Sequence, residues 1–161
     1  MKRVYNLFSK NGDQYRLSLS NEEWTDFRNE IRSSFGLELI SIELIRVNGA
    51  GVTSCAILSS IEQLIADAFN ENTNTLLFYY CDFVNPIPAT RKSILPQEYR
   101  SKLFSLMFQR YCTQNGIDSV KEAVVRIDGI GEPYFFHLIA REEHLDKLRQ
   151  IKDMVQKDFE K

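Results

Sequence analysis

The chain reads as a single α+β domain: a mixed, largely antiparallel sheet of about six strands packed with four helices. Three observations predict this. Residues 75–83, Thr-Leu-Leu-Phe-Tyr-Tyr-Cys-Asp-Phe, are apolar on both faces of an extended chain, so this strand needs cover on both sides. Alternating stretches at 3–19 and 121–140 fold back on themselves around turn residues, which implies antiparallel pairing at both ends. Two inner strands are separated by a helix, which fits a right-handed parallel crossover. A length of 161 residues suits one domain.

Taken in order, residues 3–19 form a hairpin. Asn11-Gly12 is a strong two-residue turn signal. Centred there, it pairs Lys10 with Asp13 and Phe8 with Tyr15, collecting Val4, Phe8, Tyr15, Leu17 and Leu19 on one face. Ser20-Asn21-Glu22-Glu23 has the form of a capping box. The helix that follows places Trp24, Phe27 and Ile31 on one stripe and ends at Gly36. Glu22 and Glu23 complement its dipole rather than forming a catalytic pair. Residues 38–47 alternate as a strand. A second capping box at Ser59-Ser60-Ile61-Glu62-Gln63 opens a helix whose Ile61, Leu64, Ile65, Ala68 and Phe69 keep the 3.6 period.

The strand at 75–83 comes next. A buried helix could share its composition. Its shortness, its aromatics, and the flanking Asn72-Thr73-Asn74 and Asn85-Pro86 favour a strand. Residues 84–95 show no periodicity, with Pro86 and Pro88 holding the chain extended. Pro96 suits the first turn of a helix over 97–114, which is apolar around more than half its circumference. The second hairpin, 121–140, turns at Asp128-Gly129-Ile130-Gly131-Glu132-Pro133, and a charged-faced helix spans 142–159. The order is ββαβαβαββα.

Composition excludes several classes. A formal net charge of −2 with interspersed signs lacks the basic footprint of a nucleic-acid binder. No apolar run reaches the roughly 18–20 residues that cross a bilayer. Met1-Lys2-Arg3-Val4 leads directly into alternation with no signal-peptide core. A cytoplasmic location is therefore expected, with Cys55, Cys81 and Cys112 as reduced, buried, structural thiols. Neither His137, mid-strand, nor His144, at the start of the last helix, has a metal-ligand partner at a useful spacing. No metal site is expected, and no nucleophile-base-acid signature can be read along the chain.

Arg46-x-x-Gly49-x-Gly51 follows a strand and precedes a helix. The motif resembles the pyrophosphate-binding Arg/Gln-x-x-Gly-x-Gly/Ala of the GCN5-related acyltransferases. By that resemblance Arg46, Gly49, Ala50 and Gly51 would hold the pyrophosphate of acetyl-CoA, their amides and the helix N-terminus supplying the field. The helix and strand pair after the next strand match that family's C-terminal half. A hairpin, a helix and one strand precede the motif, where the family has three strands in meander order. Val52 to Leu58 separate the glycines from the best helix cap. The chain also resembles a family of small bacterial proteins of unassigned function. That likeness lies in Val4-Tyr5-Asn6-Leu7, Leu77-Phe78-Tyr79-Tyr80-Cys81-Asp82 and the run Pro96 to Tyr111. It implies no activity, cofactor or catalytic residue.

Asp82, Asn85, Arg91 and Lys92 are the polar residues that would gather at the end of the central strand, where ligands bind in α/β sheets. The leading expectation is a binding or protein-interaction module without catalytic activity or cofactor. It would work through the 84–95 loop and the start of the next helix, on a small molecule, a protein, or a second copy of the chain. The alternative is an acyl-CoA-dependent acyltransferase.

Overall fold

In the computed structural model residues 1–49, 55–81, 95–128 and 131–159 are described, and of Cys55 and Pro96 only the backbone. Six strands form one sheet: β1 (Lys2–Phe8), β2 (Gln14–Ser20), β3 (Glu38–Asn48), β4 (Thr75–Cys81), β5 (Val120–Ile127) and β6 (Tyr134–Arg141). Their order across the sheet is β1-β2-β3-β4-β6-β5. The β3–β4 pair is parallel, and the others are antiparallel. The helices are α1 (Thr25–Phe35), α2 (Cys55–Asn70), α3 (Pro96–Gln114) and α4 (Leu145–Phe159). A short 3-10 turn, Glu142–His144, leads into α4. The expected α+β architecture is the observed one.

Strand β4 has the cover its composition requires. Leu77, Tyr79 and Cys81 join Leu17, Ile42 and Ile139 beneath α2 and α3. Leu76 and Phe78 join Leu39, Phe136 and Leu138 beneath α1 and α4. A strand carrying a charge on either face could not occupy this position without an unpaired buried group.

The first hairpin departs from expectation by one residue. Phe8 pairs with Gln14 and Leu7 with Tyr15. A two-residue Asn-Gly turn needs positive φ at both positions, and only Gly12, at φ 85°, adopts it. The chain uses a three-residue loop instead. Ser9 N–H donates to Asp13 O at 2.9 Å and Gly12 N–H to Ser9 O at 3.1 Å. The Ser9 hydroxyl oxygen accepts the Asp13 amide at 3.0 Å, fixing the loop from inside.

A one-residue slip turns every side chain of β1 to the opposite face. Tyr5 and Leu7 therefore pack on the core with Tyr15, Leu17 and Leu19, and Phe8 is 66% exposed. Leu7→Ala is expected to cost about 1–2 kcal/mol by lost burial, and Phe8→Ala less than about 0.5 kcal/mol. Urea unfolding of the two variants checks this. The register expected from Asn11-Gly12 predicts the reverse ranking.

The first helix also starts later than the capping box implies. Ser20 is still in β2, paired with Lys2 and Ser41. Its hydroxyl oxygen accepts the Glu22 amide, two residues on, at 3.1 Å, a local turn that competes with helix capping. Glu22 pairs with the N-terminal amine and Glu23 with Lys2. Trp24 takes a left-handed conformation at φ 58°. Its ring stands edge-on to Phe78 at 5.0 Å and Tyr80 at 5.8 Å.

Helix α2 starts earlier than expected, at Cys55. Ile57 and Leu58 extend the buried stripe of Ile61 and Ile65, so the period reaches back past Ser59 and Ser60. Ser60 donates to the Ala56 carbonyl at 3.1 Å, a mid-helix bond rather than a cap.

Candidate functional site

Three sites emerge: a cavity, a buried polar relay, and an arginine beside a glycine loop. The cavity, of about 250 Å³, lies between α2, α3 and the sheet. Ile65 and Phe69 of α2, Phe104 and Met107 of α3, and Val120 and Ile139 of the sheet give it an apolar wall. The apolar excess of α3 is thus spent mainly inward, and Leu106, 62% exposed, stands out as its unburied large side chain.

Polar groups mark the edges. Glu62 lines the cavity and pairs with Arg110. Arg141 also lines it and lies 4.2 Å from the Phe69 ring centre. It donates to the Asn72 and Phe69 carbonyls at 2.9 and 3.1 Å, closing the C-terminus of α2.

Cys112 lies on the cavity wall. Burial first, and the Glu122 charge second, push its thiol above the ordinary range. Cys112 is thus a neutral thiol and a slow nucleophile at neutral pH. Alkylation of Cys112 in the folded protein should be slower than for an exposed cysteine peptide at pH 8, as peptide-resolved mass spectrometry would show. Below the ordinary thiol range, folded and unfolded states both hold the proton. Above it the unfolded chain ionises first, so this group's contribution to stability falls as pH rises through that range.

The relay crosses from α3 to the sheet. His137 sits on β6 between Tyr79 of β4 and Val124 of β5. Its Nδ1 is 3.0 Å from Glu122 Oε2, and its Nε2 is 2.7 Å from Ser101 Oγ. Ser105 donates to Glu122 Oε1 at 2.8 Å. Ser101 and Ser105 are one helical turn apart, so both meet the sheet on one face of α3. Tyr79 and Phe104 flank the imidazole at ring-centre distances of 5.9 and 5.0 Å. His137 thus has a polar partner at each ring nitrogen. It is also a bridge between a serine and a carboxylate that spacing along the chain did not reveal.

The third site is Arg46. Its side chain is 5% exposed, 3.4 Å from Asp13 Oδ1, and its guanidinium lies 5.5 Å from the Tyr15 ring centre. Nε and Nη2 are buried with no hydrogen-bond acceptor among the described residues. Gly49 stands beside this pair at φ 112°. A Cβ built there would lie 1.8 Å from Asp13 Oδ1, so glycine is required on both counts.

Parallel pairing between β3 and β4 extends from Glu38–Thr75 to Ile42–Tyr79. β3 then continues six residues, bulging between Arg46 and Asn48 against β2. Among the residues expected at sites, Ala50, Gly51, Asp82, Asn85, Arg91 and Lys92 lie outside the described residues. His144 Nε2 is 3.2 Å from the Thr73 carbonyl.

Among the described residues no cluster of His, Cys, Asp and Glu could hold a metal ion, and no helix is long and apolar enough to cross a membrane. No known protein family, curated protein or solved structure matches the chain.

Proposed function

We propose that this domain binds a small apolar molecule in the cavity between α2 and α3. The observation that carries the reading is the cavity itself. Small molecules bind in apolar clefts with a few polar groups, and this one is about 250 Å³ with an apolar wall. A void of about 150 Å³ lined by aliphatic and aromatic side chains is enough for benzene. The volume here suits a fused aromatic pair or a medium-length acyl chain. Glu62 or Arg141, the charged residues of the lining, would orient a polar end group. A small molecule fits this surface better than a protein partner, because a lone exposed leucine on α3 is ordinary for a monomer.

The test is thermal unfolding with a naphthalene-class fluorescent probe, beside Ala66→Phe, which fills the cavity from its α2 wall. Probe at about 100 times its dissociation constant should add roughly 2.7 kcal/mol, a rise of several degrees for a domain of this size. The variant should melt normally and gain nothing from the probe. Equal stabilisation of both proteins would exclude the cavity as the binding site.

A second reading, an acyl-CoA-dependent acyltransferase, draws on Arg46. The Arg46 guanidinium is buried beside Asp13, and its Nε and Nη2 have no hydrogen-bond acceptor among the described residues; a phosphate oxygen would supply one. Helix α2 begins four residues after Gly51, closer than the capping signal implied. β1, β2 and β3 lie side by side in antiparallel order despite the helix inserted between β2 and β3. This is the meander that the acyltransferase resemblance calls for. Melting with excess acetyl-CoA decides this reading. A rise that Arg46→Ala abolishes favours the transferase, and no rise with both proteins folded removes it.

A further inference from the structure

We propose that Ser101, His137 and Glu122 form an acyl-transfer relay, with the Ser101 hydroxyl as nucleophile toward small esters. The direction of each hydrogen bond follows from the donors present. An ionised carboxylate only accepts, so Glu122 takes the Ser105 hydroxyl at one oxygen and His137 Nδ1–H at the other. With the hydrogen on Nδ1, the neutral ring presents a lone pair at Nε2. Ser101 Oγ, 2.7 Å away, donates into it. The order is nucleophile, base, orienting carboxylate. Each group comes from a different element, α3, β6 and β5, and Ser105 fixes the far end of the carboxylate.

A second observation points to a ligand. Gln97 is one turn before Ser101 on the same buried face of α3 and is fully buried. Its Nε2 donates to Pro133 O at 3.0 Å and lies 3.3 Å from Glu132 Oε2. Among the described residues its Oε1 has no donor. A buried amide oxygen without a partner costs about 1–3 kcal/mol, and a donor on a bound molecule removes that cost. Ser101 is 5% exposed, which limits the acyl group to a few heavy atoms. The substrate class is therefore a small ester carrying a hydroxyl or N–H donor near its carbonyl.

In the reaction Ser101 Oγ bonds to the ester carbonyl carbon as its proton moves to His137 Nε2. The bond from that carbon to the alcohol oxygen breaks, and Nε2 returns the proton to the departing oxygen. Water then attacks the acyl-serine, giving its proton to Nε2. The bond from the acyl carbon to Oγ then breaks, Nε2 returns the proton to Oγ, and the acid leaves with the Ser101 hydroxyl restored. The net change is ester plus water to acid plus alcohol, with no further reactant. Ser101 and His137 are the catalytic residues and Glu122 a positioning residue.

The experiment uses the full chain with the p-nitrophenyl esters of acetic and hydroxyacetic acid, read by p-nitrophenolate release and peptide-resolved mass. The expected result is acylation at Ser101, faster with the hydroxyacetyl ester, and absent in Ser101→Ala. That change removes one hydroxyl and leaves the fold intact by circular dichroism. His137→Gln should slow acylation about a hundredfold or more. Glu122→Gln should slow it and change its pH profile, which loss of a mere brace would not do. Gln97→Met should erase the preference between the two esters. Probe stabilisation reads the cavity and peptide-resolved acylation reads Ser101, so failure of the cavity reading and failure of the relay are separate outcomes. Acylation confined to lysines or the N-terminus, or wild-type release no faster than in Ser101→Ala, overturns the proposal.

Discussion

Phe78→Ala is expected to lower stability by about 3–5 kcal/mol, the range for large-to-small changes at a fully buried aromatic. For a domain of this length that is a fall in melting temperature of roughly 6–20 °C. Phe78 is 1% exposed on the central strand. Its ring centre lies 5.0 Å from Trp24, 5.1 Å from Phe27 and 5.2 Å from Phe136. The first two belong to the approach to α1 and to α1 itself, and the third to β6. Truncation therefore leaves a void shared by three elements, and none of them can close it alone without giving up contacts elsewhere. Phe78→Leu keeps most of the volume and loses the ring geometry, worth about 0.5–1.5 kcal/mol per aromatic pair. It should fall between wild type and alanine. Differential scanning calorimetry of the three proteins measures this, and a fall below 1 kcal/mol for alanine would show that the cluster repacks.

The prominence of Phe78 was legible in the sequence, because a run apolar at both parities has one common use in a sheet. Element type and order were legible for the same reason: each periodic run obeys one repeat only. Boundaries were less so. Asn11-Gly12 is a good turn signal, yet Ser9 offers a hydroxyl to the loop amides, and that interaction favours the longer loop and reverses β1. Ser20 has the chemistry of a helix cap, yet β1 and β3 claim its backbone first. In both places a short-range motif lost to pairing with residues far along the chain.

The candidate sites were less legible still. Glu122, His137 and Ser101 are separated by 15 and 36 residues, with no motif linking them. Ser101 sits in a helix whose apolar residues dominate its pattern, and Glu122 reads as an ordinary strand-edge charge. What brings them together is the insertion of β6 between β4 and β5, a topological fact with no local signature. Arg46 was identified for its glycines. Its counter-charge is Asp13, which only the pairing of β2 with β3 brings near.

Arg28→Met should be among the most destabilising single changes, at about 3 kcal/mol or more. Arg28 is buried, and burial holds its guanidinium below the usual range. It donates to backbone oxygens on three sides. Nε reaches Glu23 O at 3.0 Å, and Nη2 reaches Glu23 O at 2.8 Å and Ser20 O at 3.3 Å. Nη1 donates to Leu39 O. One side chain thus ties the end of β2, the entry to α1 and the start of β3. Hydrogen bonds from a charged donor are worth about 1.5–3 kcal/mol each, and their loss leaves the carbonyls buried and unpaired. Methionine retains the stem and its packing, so the loss it reports belongs to the donors. Arg28→Lys separates charge from geometry. One ammonium cannot reach three carbonyls in the directions that a planar fork reaches, so lysine should recover less than half of the loss. Full recovery by lysine in chemical unfolding would mean that the positive charge alone matters, and a neutral methionine variant would mean that water replaces the guanidinium at no cost.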